Sequence, residues 1–147
     1  MRPDSWNIAL LVHVLGAVIL IGGLVTASAT AIAGWSDEAV TLRRLSYRSL
    51  LIVAFPGYIV MRIGAQWVAS KEHLDNLAKD PTWLGIGYMT ADAGGLLLLI
   101  ALILGGVGLR RSRKGGGNGL LKATGVLATL LVAVYVVAVW AMGGKPT

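Results

Sequence analysis

The sequence predicts an all-α fold, an integral membrane four-helix bundle with up-down-up-down topology. Of the 147 residues, 56% are hydrophobic and only 14% are charged, and the mean hydropathy is +0.74. A soluble domain carries about 25% charged residues, so lipid is the expected solvent for most of this chain. Four apolar runs are each long enough to cross a bilayer, which needs about 20 residues. We place these spans at about 6–33, 45–68, 83–109 and 120–142, within a single transmembrane domain covering residues 1–147.

The first span, 6–33, contains no Asp, Glu, Lys or Arg. We interpret it as a retained helix and not as a signal peptide, because the one cation before it, Arg2, is beside Asp4. Small residues four apart predict a face on which another helix can approach closely. These residues are Gly23, Ala27 and Ala31.

The second and third spans carry the interruptions. Pro56 and Gly57 lie near the middle of span 45–68, and the missing donor of Pro56 predicts a kink there. In span 83–109 the only charged residue is Asp92. A second small-residue face is also predicted in this span. Its members are Gly87, Ala91 and Gly95.

Charge predicts the orientation. Lys and Arg concentrate around the first and third loops, so loops 34–44 and 110–119 are predicted to be cytoplasmic and both termini outside. The cations concerned are Arg43, Arg44, Arg48, Arg110, Arg111, Arg113, Lys114 and Lys122. Tryptophan favours membrane interfaces, and four of the five fall at outer span ends: Trp6, Trp67, Trp83 and Trp140. The chain is therefore predicted to be a multi-pass protein of a cell membrane.

Three polar residues interrupt the apolar runs at a similar depth. His13, Arg62 and Asp92 lie about four to seven residues outward from the middle of their spans, roughly 6–10 Å from the midplane. Tyr58 and Gln66 flank Arg62 on the same helical face, four residues away on either side. We predict a buried polar layer near the outer face, with an Arg62–Asp92 ion pair and His13 close to it.

This layer has two interpretations. Charges inside a membrane are usually paired whether or not they do chemistry, so the pair can simply neutralise its members and set the helix register. Alternatively, the layer forms a small outward-facing pocket for a cofactor, an ion or a proton. The residues assign no catalytic group and leave open whether the protein is an enzyme.

His13 is the candidate cofactor ligand. A neutral imidazole can bond to a backbone carbonyl and do nothing else, or it can be an axial ligand of haem b or a ligand of copper. Copper could add the thioethers of Met61, Met89 or Met142, although Met is also common as apolar filler. The chain has two His and no Cys, and the second, His73, lies in a loop, so a closed zinc site lacks ligands. Haem needs only one or two axial ligands and is the more economical cofactor.

The net charge of +6 does not indicate a nucleic-acid partner. The basic run RRSRK at 110–114 adjoins a span, where positive charge favours the cytoplasmic side and contacts anionic lipid headgroups. The expected partners are therefore the bilayer itself, with anionic headgroups on the cytoplasmic side, and another membrane protein or a second copy.

The segment HVLGAVILIGGL at 13–24, the four spans and the ending WAMGGKP at 140–146 resemble a group of small bacterial membrane proteins. The group includes an uncharacterised family of four-span proteins, the CopD-like copper resistance proteins and the HemJ-type protoporphyrinogen oxidases. The HemJ-type resemblance implies that His13 matches the haem-associated His of the first span. That family also uses a Lys in its third span, where this sequence has Asp92 as its only charged group. The CopD-like resemblance implies copper handling.

Three functions remain open. The first is a non-enzymatic accessory or interaction subunit, whose Gly/Ala faces could serve a neighbour as well as the bundle. The second is a haem- or copper-binding redox or metal-handling protein that uses His13. The third is a small carrier or proton path through the polar layer, with Pro56–Gly57 as a gate. The sequence identifies no substrate or pathway.

Overall fold

The computed structural model describes residues 4–36, 38–72 and 82–144. These residues form five α-helices, and a π-helical segment, Leu50–Ala54, joins the second to the third without a break. The helices are α1 (Asp4–Ala33), α2 (Val40–Ser49), α3 (Phe55–Glu72), α4 (Thr82–Ser112) and α5 (Asn118–Gly144). We call the continuous unit of α2, the π segment and α3 span two. Four helical stretches of the described chain are long and apolar enough to cross a membrane, which confirms the predicted all-α bundle.

The four spans form a ring. α1 packs along span two and against α5, α4 packs along α5, and span two closes the ring against α4. This last side is the loosest, and α3 in particular touches α4 little. The end of the bundle that holds the N-terminus of α1 is called the outer end below. Span two begins at Val40, five residues before the predicted start at Leu45, because α2 runs into the span without a turn.

Glycines determine how closely α1 approaches span two. Four glycines lie at this contact, two on each helix, and a Cβ on any one of them would collide with backbone atoms of the facing helix. On each helix two of them are seven residues apart, which is the spacing of antiparallel helices packed in a left-handed coil. The facing pairs are Gly16 with Met61, Gly23 with Ala54, Gly57 with Leu20, and Gly64 with His13.

The hairpin of α4 and α5 also packs at glycines, but here each glycine faces a large side chain. Glycines on α4 receive side chains of α5, again with a spacing of seven or its multiple. The pairs are Gly87 with Met142, Gly94 with Tyr135, and Gly108 with Leu121. The two small-residue faces predicted from four-residue spacing also pack inside the chain, since Ala31 meets Gly125 and Gly95 meets Tyr58. They are therefore not free to receive a neighbouring protein.

The irregularity predicted around Pro56 is a π-helical turn. The N–H of Phe55 bonds to the carbonyl of Leu50, five residues back instead of four. Because the proline ring would clash with the carbonyl four residues before it, widening the preceding turn relieves that contact. Gly57 is in close contact with the backbone of Leu20. The Pro56–Gly57 segment that was expected to act as a gate is therefore tightly packed against α1.

Candidate functional site: a polar cluster at the outer end

The predicted ion pair is present. Nη2 of Arg62 on α3 bonds to Oδ1 of Asp92 on α4. The antiparallel course of the two helices brings these residues to one level, as the depth argument required. The pair is a side-chain link across the loose α3–α4 side of the ring, and a hydrogen bond from Tyr58 to Ala91 is another.

The pair is not buried, which corrects the expectation of a buried polar layer. The side chain of Asp92 is 64% exposed and that of Arg62 is 30% exposed. α3 and α4 stand apart here, so the ion pair lies on the flank of the bundle. Depth along a span can be counted from the sequence, whereas the direction in which a side chain faces depends on the rotation of each helix.

Tryptophans mark the depth of this flank. Trp67 and Trp140 are both exposed. Trp67 follows Arg62 by five residues, which is about 7.5 Å along the helix. Tryptophan rings favour the membrane interface, so we expect the ion pair to lie just inside the hydrocarbon. The side chains of Trp6 and Trp83 fall outside the described part of the chain.

Two tyrosines approach α4 beside the ion pair. The hydroxyl of Tyr58 donates to the carbonyl of Ala91, 3.0 Å away, and its ring fills the space over Gly95. Tyr135 of α5 packs over Gly94 and is 4% exposed. Among the described residues its hydroxyl has no hydrogen-bond partner. The adjacent Gly94 and Gly95 on α4 therefore leave room for one tyrosine ring from α5 and one from α3.

His13 bonds to the main chain of α3. Its Nδ1 lies 3.0 Å from the carbonyl oxygen of Met61. A carbonyl only accepts, so Nδ1 carries the proton, and in the neutral ring Nε2 keeps a free lone pair. His13 makes no hydrogen bond to Arg62 or Asp92 within the described chain. The hydrogen bond to Met61, the residue before Arg62, keeps His13 beside the ion pair.

The other predicted site residues are not assembled into a metal centre. Met61 is buried in the core with 7% exposure, whereas Met89 is 75% exposed on α4. Gln66 is exposed and makes no hydrogen bond to a described residue. The described residues contain no group of three or more His, Cys, Asp or Glu that could hold a metal, and His73 lies outside them.

Arg43 has a structural role that sequence reasoning missed. It is 1% exposed, and its Nη1 donates to the carbonyls of Gly34, 2.7 Å away, and Ser36. Its Nη2 lies 3.1 Å from Oδ1 of Asn118 at the start of α5. The available signal was helical spacing, because Arg43 shares one face of α2 with two buried residues, Ser46 and Ser49.

Comparison with known proteins adds no relative. No protein-family model matches the chain, and neither the curated proteins nor the solved structures contain a match. The resemblance to HemJ-type and CopD-like proteins therefore stays a prediction. What the protein does has to be inferred from the polar groups at the outer end and from the surfaces around them.

Proposed function

We propose that the protein is a non-enzymatic accessory subunit of the membrane, and that its outer α3–α4 flank receives a helix of another membrane protein. One observation carries this proposal: the Arg62–Asp92 pair is exposed on the flank at a depth where lipid tails would otherwise surround it. A helix from a partner would cover the pair and supply donors to Asp92.

Desolvation makes exposure of the charged pair to lipid unfavourable. A charged side chain costs about 2.5–3.5 kcal/mol at the centre of a membrane-spanning helix and less toward its ends. Pairing lowers this cost, but the exposed oxygens of Asp92 still lack protein donors on their outer side. A hydrogen bond from a second protein to that carboxylate is worth about 1.5–3 kcal/mol. Covering this flank is therefore more favourable than covering an apolar one.

The surroundings of the pair suit an interface. Large apolar side chains frame it, with Ile63 59% exposed on α3 and Leu96 61% exposed on α4. Met89, one turn outward from Asp92, adds a flexible thioether that adapts to differently shaped partners. A charged centre framed by apolar residues gives specificity through the charge and contact area through the frame.

Site-specific photo-crosslinking in native membranes tests this role. A photoreactive residue at Met89 is expected to give one adduct of fixed mass, and the Asp92→Asn variant is expected to lose it. The matched position is Val136, which is 54% exposed on α5 and is expected to give only lipid adducts. Equal adducts from both positions, or no effect of Asp92→Asn, would contradict the proposal. An adduct of twice the chain mass would make the partner a second copy.

A second candidate function is a haem- or copper-binding redox or metal-handling protein that uses His13. The Nδ1–Met61 bond supports it, because a ligating imidazole usually donates its other nitrogen to a backbone carbonyl or carboxylate. Haem b bound at Nε2 predicts a Soret band in protein purified in mild detergent, and this band should disappear in His13→Ala. Protein that is colourless after haem addition would exclude haem as the cofactor of this candidate.

The orientation belongs to the same proposal. We infer that the inner loops, around 34–44 and 110–119, face the cytoplasm. Arg43 is buried, but most of the other cations at this end are exposed and still support the inference. Because the chain has no Cys, a single cysteine at Gly116 can be labelled in whole cells. It should resist an impermeant thiol reagent until the membrane is opened.

A further inference from the structure

A groove of about 400 Å³ lies between span two and α4 at the inner end of the bundle, away from the polar cluster. It is shallow and open to the side, so it faces the lipid. Leu102, Ile103 and Val107 line it toward the middle of the bundle, while Arg110 and Arg113 line its inner end. From Leu102 to Arg110 the groove follows α4 for about 12 Å. It is therefore apolar at membrane depth and basic at the interface.

The two arginines have no competing role in the fold. Arg110 and Arg113 are exposed and make no ion pair or hydrogen bond with the described residues. Two other arginines at this end are occupied, since Arg43 is buried and Nε of Arg44 lies 3.3 Å from Oγ of Ser112. Arg113 follows Arg110 by three positions, which puts both on one side of the helix end. Both guanidinium groups remain available for an anion.

Tyr47 stands between the basic and the apolar part of the groove. Its ring packs on Gly105, and its hydroxyl lies 3.3 Å from where a Cβ on Gly106 would be. Among the described residues this hydroxyl has no hydrogen-bond partner. It can therefore donate to an oxygen held between the arginines and the apolar floor, which is where the ester oxygens of a phospholipid lie.

We propose that this groove is a binding site for one anionic phospholipid. An acyl chain lies along Leu102, Ile103 and Val107, and the phosphate accepts from Arg110 and Arg113. Guanidinium groups bind phosphate oxygens in bidentate fashion. No carboxylate lines the groove, so a choline headgroup finds no partner there. A soluble phosphate would leave the apolar floor unused. The proposal is independent of the function proposed for the outer flank and of the orientation.

Native mass spectrometry of the detergent-solubilised chain tests the site. The probes are phosphatidylglycerol and phosphatidylcholine with identical chains. We expect one phosphatidylglycerol adduct per protein, and an affinity lowered roughly tenfold or more in the double variant Arg110→Ala/Arg113→Ala. The matched control is Arg111→Ala/Lys114→Ala, which removes the same charge from the same segment but from residues outside the groove. It should lower the affinity much less.

A second pair of variants tests the apolar floor. Val107→Trp fills the groove while every charge is retained, and it should also lose the adduct. Val136→Trp on the flank of α5 is the control and should keep it. Equal losses in both charge variants would show diffuse attraction and overturn the proposal, as would equal binding of phosphatidylcholine. Displacement of the lipid by millimolar inorganic phosphate would overturn it in favour of a soluble anion.

Discussion

Nδ1 of His13 lies 3.0 Å from the carbonyl oxygen of Met61, directly before the residue that forms the ion pair with Asp92. One side chain of α1 is thus bonded to the main chain of α3 at the point where α3 reaches toward α4. The contact is possible because Gly64 lets the backbone of His13 approach α3 without an intervening Cβ. The outer cluster therefore depends on how closely the first two spans pack.

The first prediction concerns this bond. His13→Ala should lower the free energy of unfolding by about 1–2 kcal/mol, since it removes a hydrogen bond worth about 0.5–1.5 kcal/mol together with some packing. Unfolding by sodium dodecyl sulfate in mixed micelles, followed by circular dichroism, measures the change. Leu11→Ala, on the lipid-facing side with 63% exposure, is the control. A loss as large in the control would argue against a role for the bond.

The second prediction concerns glycine contacts. A methyl group on Gly64 would collide with the backbone of His13, whereas one on Gly22 would meet no atom within 4 Å. Gly64→Ala should therefore destabilise the protein by about 1–3 kcal/mol through overpacking. Gly22→Ala should be neutral or stabilising by up to about 1 kcal/mol, because alanine favours a helix over glycine. Thermal unfolding of both variants decides, and equal effects would refute the proposed register.

The third prediction compares two phenols. Tyr58→Phe removes the bond to Ala91 and should cost about 0.5–1.5 kcal/mol. Tyr135→Phe removes a buried hydroxyl that has no partner among the described residues. It should be neutral or stabilising, because a buried unsatisfied group opposes folding. Chemical unfolding in detergent separates the two. Destabilisation by Tyr135→Phe would show that its hydroxyl has a hydrogen-bond partner in the folded protein.

The fourth prediction concerns the ion pair. A double-mutant cycle of Arg62→Met and Asp92→Asn should give a coupling energy of about 0.5–1 kcal/mol in detergent, the range of partly exposed pairs. The value should rise in lipid nanodiscs, where less water reaches the flank. A coupling of zero in both media would mean that the pair contributes nothing to the stability of the isolated chain.

The fifth prediction concerns Arg43. Arg43→Lys should destabilise the inner end by about 2–3 kcal/mol, because a single ammonium cannot serve the carbonyl of Gly34 and the amide of Asn118 together. Arg48→Lys is the control, since Arg48 is exposed and should tolerate the change. Thermal melting and the protease sensitivity of the first loop measure the difference. An Arg43→Lys variant as stable as the parent would contradict the structural role of the Arg43 guanidinium.

Part of the site was predictable from sequence. The level of Arg62 and Asp92 followed from counting residues from the span ends, because helix rise is constant. Their pairing followed because unpaired charges are costly in lipid. The exposure of the pair did not follow, since the rotation of α3 and α4 depends on packing elsewhere in the ring. The burial of Arg43 did not follow from the sequence either, because a cation beside a loop is usually exposed and sets topology.

The helix contacts at glycines could have been predicted better from seven-residue spacing than from four-residue spacing. Four-residue spacing identified true contact residues, such as Ala31 and Gly95, but gave no partners. The seven-residue spacing of Gly57 and Gly64 reflects the register of span two against α1. The same spacing of Tyr135 and Met142 reflects the register of α5 against α4. Only pairing the two patterns across a hairpin shows which residue faces which.

By itself, the sequence determined the number of spans, their approximate limits and the shared level of Arg62 and Asp92. These are local properties, because the transfer of each segment from water to lipid depends on its own composition and length. The tertiary structure alone decided that His13 bonds to Met61, that Asp92 lies on the flank and that Arg43 is enclosed. Such features depend on the rotation and register of neighbouring helices, which close contacts at a few glycines set for the whole bundle.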